Sequence, residues 1–185
     1  MILPLRTRPV LPPTAPTSSP PPPLPERPGT APSLTGLTLY SIRTGQLIAD
    51  YMARMLELPA APPLAYVPLA VQVQLEVAGG DPARSEGALR NNPLNLTGEG
   101  WPDQIGTWGG RFAAFSTLDA GSLAAAANYT VADVAGYYRN VVAAFLSGDP
   151  VALALAIDES PWNAGGYGFR IVAGTRAALE SASEI

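Results

Sequence analysis

The sequence predicts an α+β domain, mostly helical, behind an extended proline-rich arm. Three observations carry this. Apolar residues recur at helical spacing between 44 and 56 and along most of the chain beyond 119. The stretch from 79 to 111 is rich in Gly, Asn, Pro and Asp, the composition of loops and turns, and short apolar runs near it can form a small sheet. Residues 1–36 hold twelve of the 21 prolines, including Pro20-Pro21-Pro22-Pro23. Proline removes a backbone donor and fixes φ, so such a segment builds neither a helix interior nor a core and favours extended, polyproline-like conformations. A chain of 185 residues suffices for one domain with a real core plus an extension.

The elements follow in order. Residues 1–36 form the arm, and Ile2, Leu3, Leu5, Val10 and Leu11 near its tip are candidate anchors on a partner protein. The domain is expected over residues 37–185. Thr44 is a candidate N-cap for a helix carrying Leu47, Ile48, Tyr51, Met52, Met55 and Leu56, which stops before Pro59. Pro59, Pro62 and Pro63 stiffen the connection, and Pro68 suits the first turn of the next helix. The run Val71-Gln72-Val73-Gln74-Leu75-Glu76-Val77 is ambiguous. Its alternation and three valines favour a strand, whereas a helix places Gln72 and Glu76 on one face. Leu94 to Thr97 and Arg111 to Phe115 are the expected small sheet. Helices are expected over Asp119–Asn128, with Asp119 as its cap, over Val131–Leu146, and over Asp149–Ile157 with Asp149 at the N-cap and Pro150 at N1. A last helix spans Phe169–Ser181.

Composition narrows the chemistry. The chain has no Cys, no His and no Lys. That excludes thiol catalysis, disulfides, Ser-His-Asp triads, ordinary zinc sites, Schiff-base lysines and the phosphate-loop lysine. If the chain is an enzyme without a cofactor, Asp, Glu and Tyr must supply its acid–base groups, which favours glycoside cleavage. The net charge of −4, with no basic cluster, argues against nucleic acid as a partner. No apolar run reaches the roughly 20 residues of a membrane helix. The first ten residues are broken by prolines and lack a secretory signal core, so export by that route is not expected. No loop has the ligand spacing of a Ca²⁺ site, and no cofactor is implied.

Glu76 closes the 71–77 run in apolar company and is followed by Gly79-Gly80. Burial among apolar groups raises a carboxylate pKa, and a protonated carboxyl is what a glycosidase uses on a leaving sugar oxygen. After it come Asn91-Asn92-Pro93-Leu94-Asn95-Leu96, then Phe112-Ala113-Ala114-Phe115-Ser116-Thr117-Leu118-Asp119-Ala120-Gly121, and later Pro161-Trp162 and Tyr167. In this order the motifs resemble the lysozyme-like superfamily, nearest to bacterial glucosaminidase domains and phage virion-associated peptidoglycan hydrolases. The resemblance covers about 70 to 181 and departs from the family after Glu76. Val77-Ala78-Gly79-Gly80 stands where a Ser/Thr-Gly-Trp/Phe-Gly segment is common, so the hydroxyl and the aromatic are missing.

The resemblance implies a lysozyme-like fold with a sugar cleft between a helical lobe and a small β lobe. It also resolves the 71–77 run as a helix ending in Glu. Glu76 would be the general acid, and Asn91 and Asn92 would shape the turn beside the cleft and contact substrate. Trp108, Trp162 and Tyr167 are candidate sugar-stacking groups, whereas Tyr137 and Tyr138 sit on a helical stripe and suit the core. Asp81, Glu86, Glu99, Asp103 and Asp119 are the candidates for a second carboxylate, and the sequence does not choose among them. The expected function is glycan-strand cleavage of peptidoglycan by a protein carried on a phage tail or similar particle, docked through residues 1–36. The alternative is an inactive structural virion protein on the same fold.

Overall fold

A computed structural model describes residues 36–133, 135–163 and 169–183. The arm up to residue 35 and Tyr167 lie outside the described residues. The described part is mostly helical with one two-stranded antiparallel sheet, so the α+β class holds.

The first helix, α1, spans Leu39–Met55. Its N-cap is Thr38 rather than the expected Thr44; the Thr38 hydroxyl accepts the Ser41 N–H. Thr44 lies inside the helix, buried, and returns its hydroxyl to the Tyr40 carbonyl. The second helix, α2, spans Tyr66–Glu76, with Pro68 in its first turn. This is the helix ending in Glu76 that the resemblance implies, and not the strand that the local pattern alone favours. Tyr66 to Val73 are all buried, so both faces of the helix are apolar and the 3.6-residue signature is absent. The two helices approach so closely that a methyl on Gly45 would lie 2.6 Å from the Ala70 nitrogen. Only glycine permits that crossing.

A 3₁₀ turn at Pro82–Arg84, capped by Asp81, leads into the one-turn helix α3, Glu86–Leu89, capped by Ser85. The sheet is a hairpin of β1, Gln104–Trp108, and β2, Phe112–Phe115. This corrects the expected pairing of 94–97 with 111–115: the partner of the second strand is 104–108. Residues 94–97 form no strand and meet β2 through an isolated Thr97–Phe112 bridge and the Ala113 N–H to Leu96 carbonyl bond. The turn Gly109-Gly110 has φ of 57° and 74°, left-handed values that favour glycine and let the chain reverse there.

Helix α4 spans Leu118–Tyr129 and is capped by Thr117, whose hydroxyl accepts the Ala120 N–H. Asp119 is therefore not the cap; it accepts the Tyr51 hydroxyl at 2.5 Å. The helix expected from Val131 begins only at Arg139, because Asp133 takes the Tyr137 and Tyr138 N–H groups at 2.6 and 2.7 Å and holds a turn. Helix α5 is thus Arg139–Ser147, closed by Gly148 at φ 75°. Helix α6, Pro150–Asp158, starts as expected, with Asp149 accepting from Val151 and Ala152 and Pro150 in the first turn. Helix α7 spans Arg170–Ser183.

The main core lies between α1, α2, α4, α5, α6 and α7 and includes Ile48, Met52, Leu69, Val73, Tyr129, Phe145, Leu153, Ile157 and Ile171. A smaller core of Leu96, Ala113, Phe115, Ala120 and Ala124 joins the hairpin to α4. Trp162 packs against both.

Candidate functional site

Glu76 is the last residue of α2, and the helix stops there because the next residues leave the helical region. Ala78, Gly79 and Gly80 have φ of 43°, 77° and 86°, and the Gly79 N–H closes on the Gln74 carbonyl at 3.0 Å. The Gly80 carbonyl accepts the Thr38 hydroxyl, which ties this terminus to the start of α1. The Glu76 side chain is half-buried. Its surroundings are polar where they touch the carboxylate: Asn95 Nδ2 donates to Oε2 at 2.8 Å, and Trp162 Nε1 donates to Oε1 at 3.2 Å. Asn95 also reaches the Glu76 backbone carbonyl at 3.4 Å.

The loop from 90 to 96 brings Asn95 to this point through a set of side-chain to backbone bonds. Asn92 is buried, with every amide position used: Oδ1 accepts the Leu96 N–H, and Nδ2 donates to the Leu96 and Ala113 carbonyls. Asn91, at φ 54°, donates to the Phe115 carbonyl, while the Phe115 N–H returns to the Arg90 carbonyl. Both asparagines are thus engaged in holding the loop on β2, the shaping part of the role expected of them. Helix α4 then settles on this loop, close enough that a methyl on Gly121 would lie 1.7 Å from the Asn91 oxygen.

Trp162 follows Pro161 in a 3₁₀ turn, and its indole tilts over Tyr129 at a centroid distance of 5.9 Å. The Tyr129 hydroxyl donates to Gln72 Oε1 at 2.7 Å, one turn before Glu76 on α2. Burial pushes that hydroxyl well above the usual tyrosine range, and the nearby Glu76 charge adds to it. Gln72 Nε2 is buried with no partner among the described residues. Trp108 lies instead in the hairpin, stacked on Phe112 at 4.6 Å, with Arg111 over the Phe112 ring. Tyr138 is buried edge-on against Tyr129, as core packing requires, but Tyr137 is 58% exposed in the turn before α5.

The five further carboxylates divide clearly. Asp81 caps the 3₁₀ turn through the Ala83 N–H. Glu86 faces Arg90 at 4.0 Å on an exposed surface. Glu99 and Asp103 are exposed, Asp103 with φ 56°. Asp119 binds Tyr51, whose hydroxyl is raised first by burial and then by the Asp119 hydrogen bond. No group of three or more His, Cys, Asp or Glu able to hold a metal occurs among the described residues. No helix among them is long and apolar enough to cross a membrane.

The residue that sequence reasoning passed over as a site residue is Asn95. It was visible as the third asparagine of the Asn91-Asn92-Pro93-Leu94-Asn95 run. A short polar side chain in that loop is expected to bond locally, and its reach back to α2 depends on a long-range fold.

No family model matches the chain, and no curated protein does. A solved structure, that of a type VI secretion system effector–immunity complex from Pseudomonas protegens, is similar at 18% identity, covering 79% of this chain and 96% of that one, with a TM-score of 0.49.

Proposed function

We propose that this chain is a peptidoglycan glycan-strand hydrolase of lysozyme or glucosaminidase type, with Glu76 as the general acid. One observation supports it most. A half-buried carboxylate ends a buried helix and is fixed by N–H donors from two separate segments, Asn95 and Trp162, in a chain with no His, Cys or Lys to do acid–base work. On this reading the domain is lysozyme-like, with a helical lobe and a small β lobe around the hairpin, and the sugar chain runs between them. A glycosidic oxygen would approach Oε1 in place of the Trp162 indole, whose bond is the longer of the two. Proton transfer to that oxygen lets its bond to the anomeric carbon break with the electron pair staying on the oxygen, and water adds to the anomeric carbon. Among the candidate second carboxylates, Asp119 does not cap its helix, since Thr117 does, and it holds the Tyr51 hydroxyl instead. Residues 1–36 would tether the domain to a phage tail or similar particle.

A second reading rests on the same contacts. Both Glu76 oxygens already accept hydrogen bonds, which is also how a carboxylate staples a loop to a helix terminus. On that reading the chain is a structural virion protein and Glu76 does no chemistry. Glu76→Gln separates the two in a turbidity and muropeptide assay on isolated peptidoglycan. The hydrolase reading expects cleavage by the native protein and a loss of at least 10²-fold in the variant. Absence of cleavage by both proteins, across walls of several hosts, refutes it.

A further inference from the structure

The geometry points to Asn95 as the positioning residue of Glu76, a role that rests on the hydrolase reading above. Three features of the chain are arranged to deliver its amide. First, Asn95 sits at φ 52°, a left-handed conformation that asparagine tolerates better than most residues and that here aims the side chain back at the end of α2. Second, Gly87 clears the space for it. A methyl there would lie 2.2 Å from Asn95 Oδ1 and 2.9 Å from the Asn92 carbonyl, so any side chain at 87 displaces the amide or the loop. Third, the neighbouring Asn92 closes the loop on Leu96 with two hydrogen bonds and anchors it to β2 with a third, to the Ala113 carbonyl, and the Asn95 N–H itself closes on the Asn92 carbonyl at 3.2 Å.

The result is an amide with defined ends. Its oxygen lies against Gly87, and its nitrogen donates at 2.8 Å to Oε2 and at 3.4 Å to the carbonyl of the same glutamate. Two contacts to one residue fix both where the side chain starts and where its carboxylate ends. With Oε2 engaged by the Asn95 amide, Oε1 is the oxygen left for the proton transfer that the hydrolase reading requires. The Trp162 bond to Oε1 is longer and comes from a half-buried ring, so it is the contact a substrate can replace. Asn95 chooses the oxygen that acts.

The test compares the full chain with Asn95→Asp and Asn95→Ala on isolated peptidoglycan between pH 4 and 8. Asp has the shape of Asn but at neutral pH offers Oε2 no donor. Its acid form does, through O–H. The expected result for Asn95→Asp is a roughly 10²-fold loss at pH 7 that shrinks as pH falls, and for Asn95→Ala a similar loss at every pH. A purely structural role predicts losses that follow the loss of folded protein, so both variants assayed well below their melting temperatures keep native rates. Native cleavage with Asn95→Asp following the native pH profile overturns the assignment of Asn95 and leaves the hydrolase reading standing. A native protein inert on every wall overturns both. Because Asn95→Ala can also loosen the loop, melting temperatures are taken at each pH. Contact between the two side chains requires the stability gap between Asn95→Asp and native protein to narrow on acidification. A gap independent of pH overturns the contact.

Discussion

Replacing Tyr129 by Phe removes one oxygen from the middle of the main core and nothing else. The ring is fully buried, and its hydroxyl donates at 2.7 Å to Gln72 Oε1, itself on a side chain only 1% exposed. Gln72 Nε2 already has no partner among the described residues, so the variant leaves the amide unsatisfied at both ends. Leaving a buried polar group without its partner costs about 1–3 kcal/mol. For a domain of this size that lowers Tm by roughly 2–12 °C. The ring contacts with Tyr138 at 5.2 Å and Trp162 at 5.9 Å remain, so Glu76 keeps its indole donor. The assay is thermal and urea unfolding at pH 7 for Tyr129→Phe, Gln72→Leu and the double variant. Removing both polar partners is cheaper than removing either, so the double variant should be more stable than the sum of the singles by about 1 kcal/mol. Strict additivity, or a Tyr129→Phe variant as stable as the native protein, refutes the reasoning.

Gly121→Ala brings a methyl to within 1.7 Å of the Asn91 carbonyl and should cost about 3 kcal/mol or more, seen as lost soluble yield or a large fall in Tm. Asp149→Ala removes the acceptor for the Val151 and Ala152 N–H groups and should cost about 1 kcal/mol in urea unfolding. The Tyr51 and Tyr129 hydroxyls are held above the usual tyrosine value of 10.0 chiefly by burial, so above that pH the unfolded chain loses protons that the folded chain keeps. Stability from these groups is complete below about pH 10 and falls as pH rises through their folded values; a urea midpoint that stays flat to pH 12 contradicts this. Gly87→Ala forces the Asn95 amide aside; on the proposed hydrolase reading it lowers wall cleavage at temperatures where the variant stays folded, a fall measured by the turbidity assay.

Much of the fold was legible because its signals are local. Asp149-Pro150 marks a helix start through one capping side chain and one fixed φ, and the structure keeps both. The class also holds, since the 79–111 composition does yield a short sheet and turns between helices. The misreadings share a cause, which is that tertiary contacts overruled a local preference. Helix α2 looks like a strand by local pattern, and only the resemblance implies a helix, because all its early positions are buried and nothing polar marks a face. Thr44 looks like a cap because helix starts favour threonine, yet Thr38 holds that position and adds the Gly80 carbonyl as a partner. Val131 to Tyr138 looks helical, but the Asp133 carboxylate captures two N–H groups. At the site, Glu76 was identifiable as a lone carboxylate in an apolar run. Trp162 was identified as a site residue but as a stacking group, and Asn95 not at all, because they stand 86 and 19 residues from Glu76 and no spacing rule connects them.

Helix α4 serves two cores with its smallest side chains. Ala120 and Ala124 pack under the hairpin, while Ala125 and Ala126 pack into the helical side. Methyl groups leave little slack on either face, so this helix is clamped from both directions. Opening of the hairpin alone still leaves it held by α1 and α2, and fraying of the outer helices still leaves it held by β2. Its backbone amides should therefore exchange with solvent deuterium only when the whole domain unfolds, making Ala124 to Ala127 the slowest amides in the chain and a direct gauge of its global stability.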